Sequence, residues 1–379
     1  MQNELETISQ KTTSRKIPLR IIVAGGGTGG HIFPALSIAN ALKKSEPETK
    51  ILFVGAKGKM EMDKVPEAGY EIKGLTIAGY NRSSLLKNIA LPFKMVASFF
   101  EVHQIFKIFK PDAVIGVGGY SSFPVLKSAQ LRGIASFIHE SNSLPGKSNI
   151  MLGKKATRVF VAYDGMEKYF YKKNLIKTGN PVRKSLSQYV SKEEALSFFG
   201  LKAGKKTILI TGGSLGARSI NQAIEKNADA FRKNELQLIW QTGKEFANIA
   251  AAIEEESSDI WTNAFINNME YAYSAADVVV CRSGAMTLSE LCVVGKPAVL
   301  VPYPYAAEDH QVVNAQSLVK KGAAVMVKDA EVEACLMEEI VKISADEGKM
   351  KEMSNNMSAL AIFNADEIIA AEILKNIKQ

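Results

Sequence analysis

Cysteine is scarce in this sequence: 379 residues hold three, Cys281, Cys292 and Cys335, and no CxxC pair. Each sits among apolar neighbours, which suits buried free thiols in a reducing compartment and argues against a disulfide framework or a zinc site. Long apolar runs are missing as well. A membrane-spanning helix needs roughly 18 uninterrupted apolar residues, and the nearest candidate, "NIALPFKMVASFF", is broken by Pro92 and Lys94. The opening "MQNELETISQKTTSRK" carries acids and no apolar core, unlike a secretory signal or a transit peptide. Residues 1–17 are therefore expected to form a disordered leader, and the chain to stay in the cytoplasm. Acidic residues are few in the first half only: residues 1–180 hold 26 Lys and Arg against 13 Asp and Glu, the remainder 21 against 26. Such a basic half suits an anionic surface, nucleic acid or acidic lipid, and a solvated lysine-rich face accounts for it equally well. No aromatic-rich RNA motif or helix-turn-helix pattern points to nucleic acid. A Walker loop is absent too, since "GLKAGKKT" has the wrong spacing and precedes its strand.

What is present is a pattern repeated twice. At 46% hydrophobic and 23% charged, the chain is too long for one ordinary core and too apolar for disorder, so two domains are expected. Apolar β-rich runs alternate with helical patterns: "RIIVA" then "ALSIANALKK", "ILFVG", "AVIGVGG" then "PVLKSAQLRG", and "ASFIHE". After "TGNPVRKSL" the series restarts with "KTILITGGS", "LQLIWQTG", "DVVVCRSG" and "PAVLVPYP". Alternation of this kind reads as parallel strands joined by crossover helices, built twice. The expected fold is α/β, two doubly wound parallel-sheet domains over 18–178 and 182–360, with a linker at Gly179, Asn180 and Pro181. Over 361–379, Ile368, Ile369, Ile373 and Ile377 stand near helical spacing, which predicts a closing helix packed back on the N-terminal domain.

Between the first strand and first helix, Gly25, Gly27 and Gly30 satisfy GxGxxG, the context for a pyrophosphate at a helix start. A dinucleotide site also wants an acid closing the second strand roughly 20 residues on, and "ILFVGAKGK" supplies none. His31 follows the glycines, where a helix dipole favours the neutral imidazole that a general base needs. A lone histidine there is more often a structural residue. His139 in "FIHESN" and His310 in "AEDHQ" stand at comparable strand ends or helix starts, whereas His103 lies in an apolar helical stretch and reads as structural. Asn142, Arg183, Ser214, Arg282, Ser283, Thr287, Glu290 and Gln311 are expected at the carboxyl edges of the strands, where open α/β sheets bind ligands.

Taken in order, "GGGTGGHIFPAL", "GVGGYSSFP", "HESN", "GNPVR", "GGSLGARSIN", "CRSGAMTLSE" and "HQVVNA" resemble the MurG family of peptidoglycan glycosyltransferases over most of the chain. The resemblance implies the GT-B fold, two Rossmann-like domains facing across a cleft. It implies transfer of N-acetylglucosamine from UDP-N-acetylglucosamine to undecaprenyl-pyrophosphoryl-N-acetylmuramyl-pentapeptide, lipid I becoming lipid II at the cytoplasmic membrane face, without a cofactor. Carried over residue by residue, Thr28, Gly29 and Gly30 line the sugar side with Asn142 nearby, and Arg183 and Ser214 serve the diphosphate. Ile266 meets uracil through its backbone, Ala285, Met286, Thr287, Leu288, Ser289 and Glu290 hold the nucleotide with Glu290 on the ribose, and Gln311 holds the donor sugar. Two departures bear on donor selectivity: Ser141 stands where many relatives carry glutamine, and His310 opens a pair often seen as two glutamines.

No D-x-D occurs in the chain, so leaving-group charge is expected to be met by backbone N–H groups of Gly212 to Ala217 with Ser214 and Arg183, without a bound metal. The expected reaction is a direct inverting displacement in which His31 takes the proton of the acceptor hydroxyl, with the linker as hinge for domain closure. A nucleotide-sugar epimerase of similar fold is the alternative enzyme, and a basic nucleic-acid-binding module the alternative outside enzymology. The segment Leu85 to Lys110 sets Leu91, Phe93, Met95, Val96, Phe99 and Phe100 among Lys87, Lys94, Lys107 and Lys110. It is expected as a peripheral contact with an anionic membrane surface, exposed near Ile89 to Phe100 and packed inward from Val102 to Phe109.

Overall fold

The computed structural model describes residues 18–79, 89–306 and 309–377. The expected leader, together with Leu85 and Lys87, lies outside the described residues. Among the described residues thirteen strands form two parallel sheets. The first comprises β1 (Arg20–Ala24), β2 (Lys50–Ala56), β3 (Glu71–Leu75), β4 (Ala113–Gly116), β5 (Ala135–Glu140), β6 (Arg158–Val161) and β7 (Leu175–Lys177), in the order β3-β2-β1-β4-β5-β6-β7. The second comprises β8 (Lys206–Thr211), β9 (Leu236–Gln241), β10 (Ile260–Asn263), β11 (Val278–Cys281), β12 (Ala298–Leu300) and β13 (Ala324–Met326), in the order β10-β9-β8-β11-β12-β13.

The two orders are the same topology, strands running outward from the first in both directions, which is the Rossmann arrangement. Helices cover the strands, so their sequences are apolar on both faces. Ile21, Ile22 and Val23 of β1 and Ile208, Leu209 and Ile210 of β8 are wholly buried. Each such side chain contributes roughly 1.5–3 kcal/mol of burial. The order reverses direction between β1 and β4 in one sheet and between β8 and β11 in the other. A crevice opens at such a switch point, outside the strands' carboxyl ends. The β1 exit carries the run of glycines, and the β8 and β11 exits carry "GGSLGA" and "RSGAMT".

The chain divides into two compact units. One contains the residues up to His139, Leu152–Arg158 and the chain end from Ala370; the other contains Glu140–Met151 and Val159–Ile369. In the second unit, separate apolar clusters lie on the two faces of its sheet, one including Tyr273, Leu288 and Leu291, the other Trp240, Ile220 and Leu336. The closing helix forms over Ala365–Ile377 and buries Ile369 and Ile373, while Ile368 is exposed on its other side.

Candidate functional site

In the first unit, β1 ends at Ala24 and the helix Gly29–Ser45 begins after an extended Thr28, with His31 in its first turn. Thr28 and Gly30 are exposed, and Thr28 makes no side-chain capping bond. His31 Nδ1 lies 2.9 Å from the Val117 carbonyl. A carbonyl only accepts, so Nδ1 carries the proton and donates, which puts the basic lone pair on Nε2. The imidazole packs on Gly118, whose φ is +101° and where a Cβ would stand 2.5 Å from His31 Cε1. "GVGGY" therefore needs glycine there on two counts, backbone conformation and space for the ring.

An acid does turn to the glycine loop, from a place that strand-end reasoning did not search. Glu61, five residues past β2, is buried and accepts from Gly27 N at 2.8 Å and Ala56 N at 3.0 Å. A carboxylate on the Gly27 N–H occupies the position at which a dinucleotide loop would receive phosphate, and its charge repels one. Its only signal in the sequence is a lone Glu at the start of a short helix.

The second unit gathers the other predicted residues into linked groups. Arg183, just past the Gly179–Pro181 turn, donates from Nε to Glu290 Oε1 at 2.8 Å, and the Tyr273 hydroxyl donates to Glu290 Oε2 at 3.1 Å. Glu290 is buried in the helix Ala285–Val294, as are Ala285 and Leu288, while Met286, Thr287 and Ser289 are partly exposed. Burial, then the charge of Glu290, pushes the Tyr273 phenol well up, so it stays a donor. Burial likewise pushes the Cys281 and Cys292 thiols up to about 12.

Ser214 is exposed in the loop between β8 and the helix Arg218–Lys226. Two N–H groups of that loop are used nearby, Gly213 to Thr211 Oγ1 at 3.3 Å and Gly216 to the Gly213 carbonyl at 3.0 Å. Gln241, absent from the sequence reading, ties this loop to Ile266. Its Nε2 donates to Thr211 Oγ1 and the Gly213 carbonyl, and its Oε1 accepts from Ile266 N at 2.9 Å. Gln311, at the start of the helix His310–Val319, accepts from Tyr303 N on its side chain and from Ser283 Oγ on its carbonyl. Arg282 is held by Asp329 at 2.5 Å.

Asn142 sits in a polar network. Its N and Nδ2 donate to Glu140 Oε1 at 3.0 and 3.2 Å, and its Oδ1 accepts from Asn314 Nδ2 at 3.2 Å. Glu140 also accepts from Gly146 N and Asn149 Nδ2, so one buried carboxylate shapes the whole "HESN" turn. Glu140 and Asn314 were visible only as letters inside motifs. His139 is fully buried in β5, and His103 is exposed, with Arg132 Nη2 2.7 Å from its Nδ1. Among the described residues no group of three or more His, Cys, Asp or Glu is arranged to hold a metal, and no helix is long and apolar enough to cross a membrane.

The helix Leu91–Phe109 buries Val102 and Phe106 and exposes Phe93, Val96 and Phe100; Ile89 before it is exposed as well. Ile108 is exposed at 77%, contrary to the expectation of an inward-packed Val102 to Phe109, because it falls on the face opposite Val102 and Phe106.

Residues 21–161 match the glycosyltransferase family 28 N-terminal domain and residues 207–369 its C-terminal domain. The UDP-N-acetylglucosamine–N-acetylmuramyl-(pentapeptide) pyrophosphoryl-undecaprenol N-acetylglucosamine transferase of Phocaeicola vulgatus is 49% identical, over 94% of this chain and 96% of its own. The protein of the same description from Parabacteroides distasonis is 48% identical, over 94% of this chain and 98% of its own. Among solved structures, MurG of Acinetobacter baumannii superposes with a TM-score of 0.76 at 28% identity, covering 94% of this chain and 100% of its own. A UDP-N-acetylglucosamine 2-epimerase superposes at 0.63 with 16% identity, over 96% of this chain and 97% of its own, a likeness of fold alone.

Proposed function

The chain belongs to glycosyltransferase family 28, and from that premise we propose how its residues divide the work of moving N-acetylglucosamine from UDP-N-acetylglucosamine to lipid I. The activity is that of an N-acetylglucosaminyltransferase of peptidoglycan synthesis, on a GT-B fold. Epimerisation is not favoured, since relatives at 48–49% identity are transferases and the epimerase likeness extends only to fold.

Residues 182–360 bind the donor. Glu290 accepts from the ribose hydroxyls: its two oxygens offer about four lone-pair sites, and Arg183 and Tyr273 use two. Ile266 N–H is committed to Gln241, so its carbonyl is the atom that meets the uracil N–H. Arg183 and Ser214 meet the diphosphate, with Ala285, Met286, Thr287, Leu288 and Ser289 along the nucleotide and Gln311 at the donor sugar. Residues 18–178 bind the acceptor, with Thr28, Gly29 and Gly30 beside the sugar.

The observation that carries the mechanism is the bond from His31 Nδ1 to the Val117 carbonyl, which puts the basic lone pair on Nε2. His31 takes the proton of the acceptor 4-hydroxyl as that oxygen attacks the anomeric carbon. The bond to UDP breaks on the opposite face, and the configuration inverts. Charge on departing UDP is met by Arg183 and by N–H groups at the tip of the Gly212 to Ala217 loop, so no metal is required. The test is transfer of radiolabel from UDP-N-acetylglucosamine to a short-chain lipid I analogue by wild type and His31→Ala, with and without EDTA.

The acceptor's polyprenyl tail requires the enzyme to visit a bilayer, on the cytoplasmic side where nucleotide sugars are found. Ile89, Phe93, Val96 and Phe100 recur at helical spacing along one exposed face, with Lys94 among them, and this stripe is the proposed contact.

A further inference from the structure

A cavity in the second compact unit is not used in the mechanism above, although two of its wall residues, Leu288 and Ser289, are also placed along the nucleotide. It encloses about 450 Å³ and is lined by the linker residues Gly179 and Asn180, by Leu288, Ser289 and Cys292, and by Ile362 among others. Its volume is within the roughly 300–1,000 Å³ of small-molecule sites. Of the residues assigned to the donor, Leu288 and Ser289 line it, whereas Arg183, Ser214, Ile266, Thr287, Glu290 and Gln311 do not. On the helix Ala285–Val294 the cavity takes the face of Leu288, Ser289 and Cys292, about half a turn from the face of Met286, Thr287 and Glu290. It therefore borders the proposed nucleotide site at Leu288 and Ser289 and extends behind the face of Thr287 and Glu290.

The polar floor is a built one. Asn180 is 2% exposed, and its Nδ2 donates to Ser289 Oγ at 3.0 Å, to the Ser141 carbonyl at 3.1 Å and to the Ala285 carbonyl at 3.4 Å. Two of these acceptors are carbonyls, which fixes the amide's orientation. Oδ1 is then buried without a hydrogen-bond partner among the described residues. A buried amide oxygen left unpaired is destabilising, and a ligand donor would recover that loss.

The lining is also basic. Lys168, Lys177, Lys320 and Lys321 face one carboxylate, Asp164, which holds Lys177 at 2.7 Å. Lys320 and Lys321 have no ion pair among the described residues. Leu288, Cys292, Val313, Leu360 and Ala361 supply apolar wall.

We infer that this cavity is a regulatory site for a small anionic amphiphile, with its acidic group at the lysines, its apolar body against Leu288 and Cys292, and one hydrogen-bond donor on Asn180 Oδ1. Asn180 grips the helix whose other face carries Thr287 and Glu290, so occupancy changes nucleotide affinity; this coupling rests on the donor assignment made above. By linkage, nucleotide changes the amphiphile's affinity by the same factor.

The probe is 8-anilinonaphthalene-1-sulfonate, which combines a sulfonate, one N–H and an aromatic body. Titrated by fluorescence into the full chain, it is expected to saturate a site that Ala361→Trp abolishes by filling the cavity and that Lys320→Glu with Lys321→Glu weakens at least tenfold. Phe93→Ser with Val96→Ser, which removes the exposed stripe, is expected to leave that site intact. Unchanged affinity in both cavity variants, or loss of the site in the stripe variant, overturns the assignment; should Ala361→Trp fail to fold, the exposed lysine pair decides. Calorimetric UDP affinity is expected to shift at least threefold when the probe saturates wild type. An unshifted UDP affinity with the probe bound overturns the coupling, whereas a chain that binds probe and no UDP overturns the donor assignment instead.

Discussion

Glu290 serves two partners inside the protein before any ligand arrives, so its replacement has two separable effects. Glu290→Gln keeps the shape and removes the charge. Losing charge-assisted bonds to ribose, worth about 1.5–3 kcal/mol, is expected to weaken UDP binding about tenfold or more in calorimetry. Glu290→Ala adds a stability loss of about 1–3 kcal/mol in urea unfolding, because the buried Tyr273 hydroxyl loses its acceptor. UDP affinity unaltered in Glu290→Gln removes the ribose role. For His31→Ala, turnover is expected to fall about 100-fold or more with UDP affinity nearly unchanged, the range of a lost general base; wild-type turnover would exclude it. Asp259 offers a pH test. Its hydrogen bond from Lys205 holds its carboxyl below the usual range, with Lys202 also near. The folded value is the lower one, so this contribution is present above the unfolded carboxylate range and lost as pH falls through the folded value. Lys205→Met is expected to flatten that part of an acid-unfolding profile, and an identical acid limb in the variant would show the pair to be without effect.

The helix Leu91–Phe109 sets two requirements on one element. Its buried side is held by Val102 and Phe106, the latter under the Arg132 guanidinium at 4.9 Å, so Phe106→Ala is expected to cost about 3–5 kcal/mol. Phe100 lies on the other side at 71% exposure, so Phe100→Ala is expected to stay within about 0.5 kcal/mol in unfolding. The same Phe100→Ala should reduce sedimentation with phosphatidylglycerol vesicles. Lys94→Glu should reduce it more at low salt than at high, each basic residue near the surface contributing about 1 kcal/mol. Equal sedimentation of wild type and both variants at every salt concentration would return the stripe to an ordinary solvent-exposed face.

For the whole molecule, the proposed handling of the leaving group predicts resistance to chelation. In that proposal, backbone donors, Ser214 and Arg183 meet the UDP charge in place of a metal held by a D-x-D pair. Transfer to the soluble lipid I analogue should persist in EDTA, and complete loss restored by magnesium would contradict it. That assay needs no bilayer, so it separates chemistry from membrane contact: the vesicle-binding variants should retain activity on the soluble acceptor.

The sequence by itself determined the repeated strand, glycine loop and helix, because each signal comes from residues close along the chain. Unbroken apolar runs require strands covered on both faces, and glycines at "GVGGY" and "GGSLGA" mark the turns out of β4 and β8. The motif series identified the family as well. Side-chain pairings across long stretches of chain were decided only by tertiary structure. Gly27 and Glu61 are 34 residues apart, and Asn180 and Ser289 are 109 apart. No periodicity predicts that a carboxylate from one short helix will take the glycine loop's N–H, that Gln241 will bind Ile266, or that an asparagine in a linker will hold the helix Ala285–Val294. The exposed stripe lay between the two cases: its helical spacing was legible, yet which face met the core depended on what packed beside Val102 and Phe106.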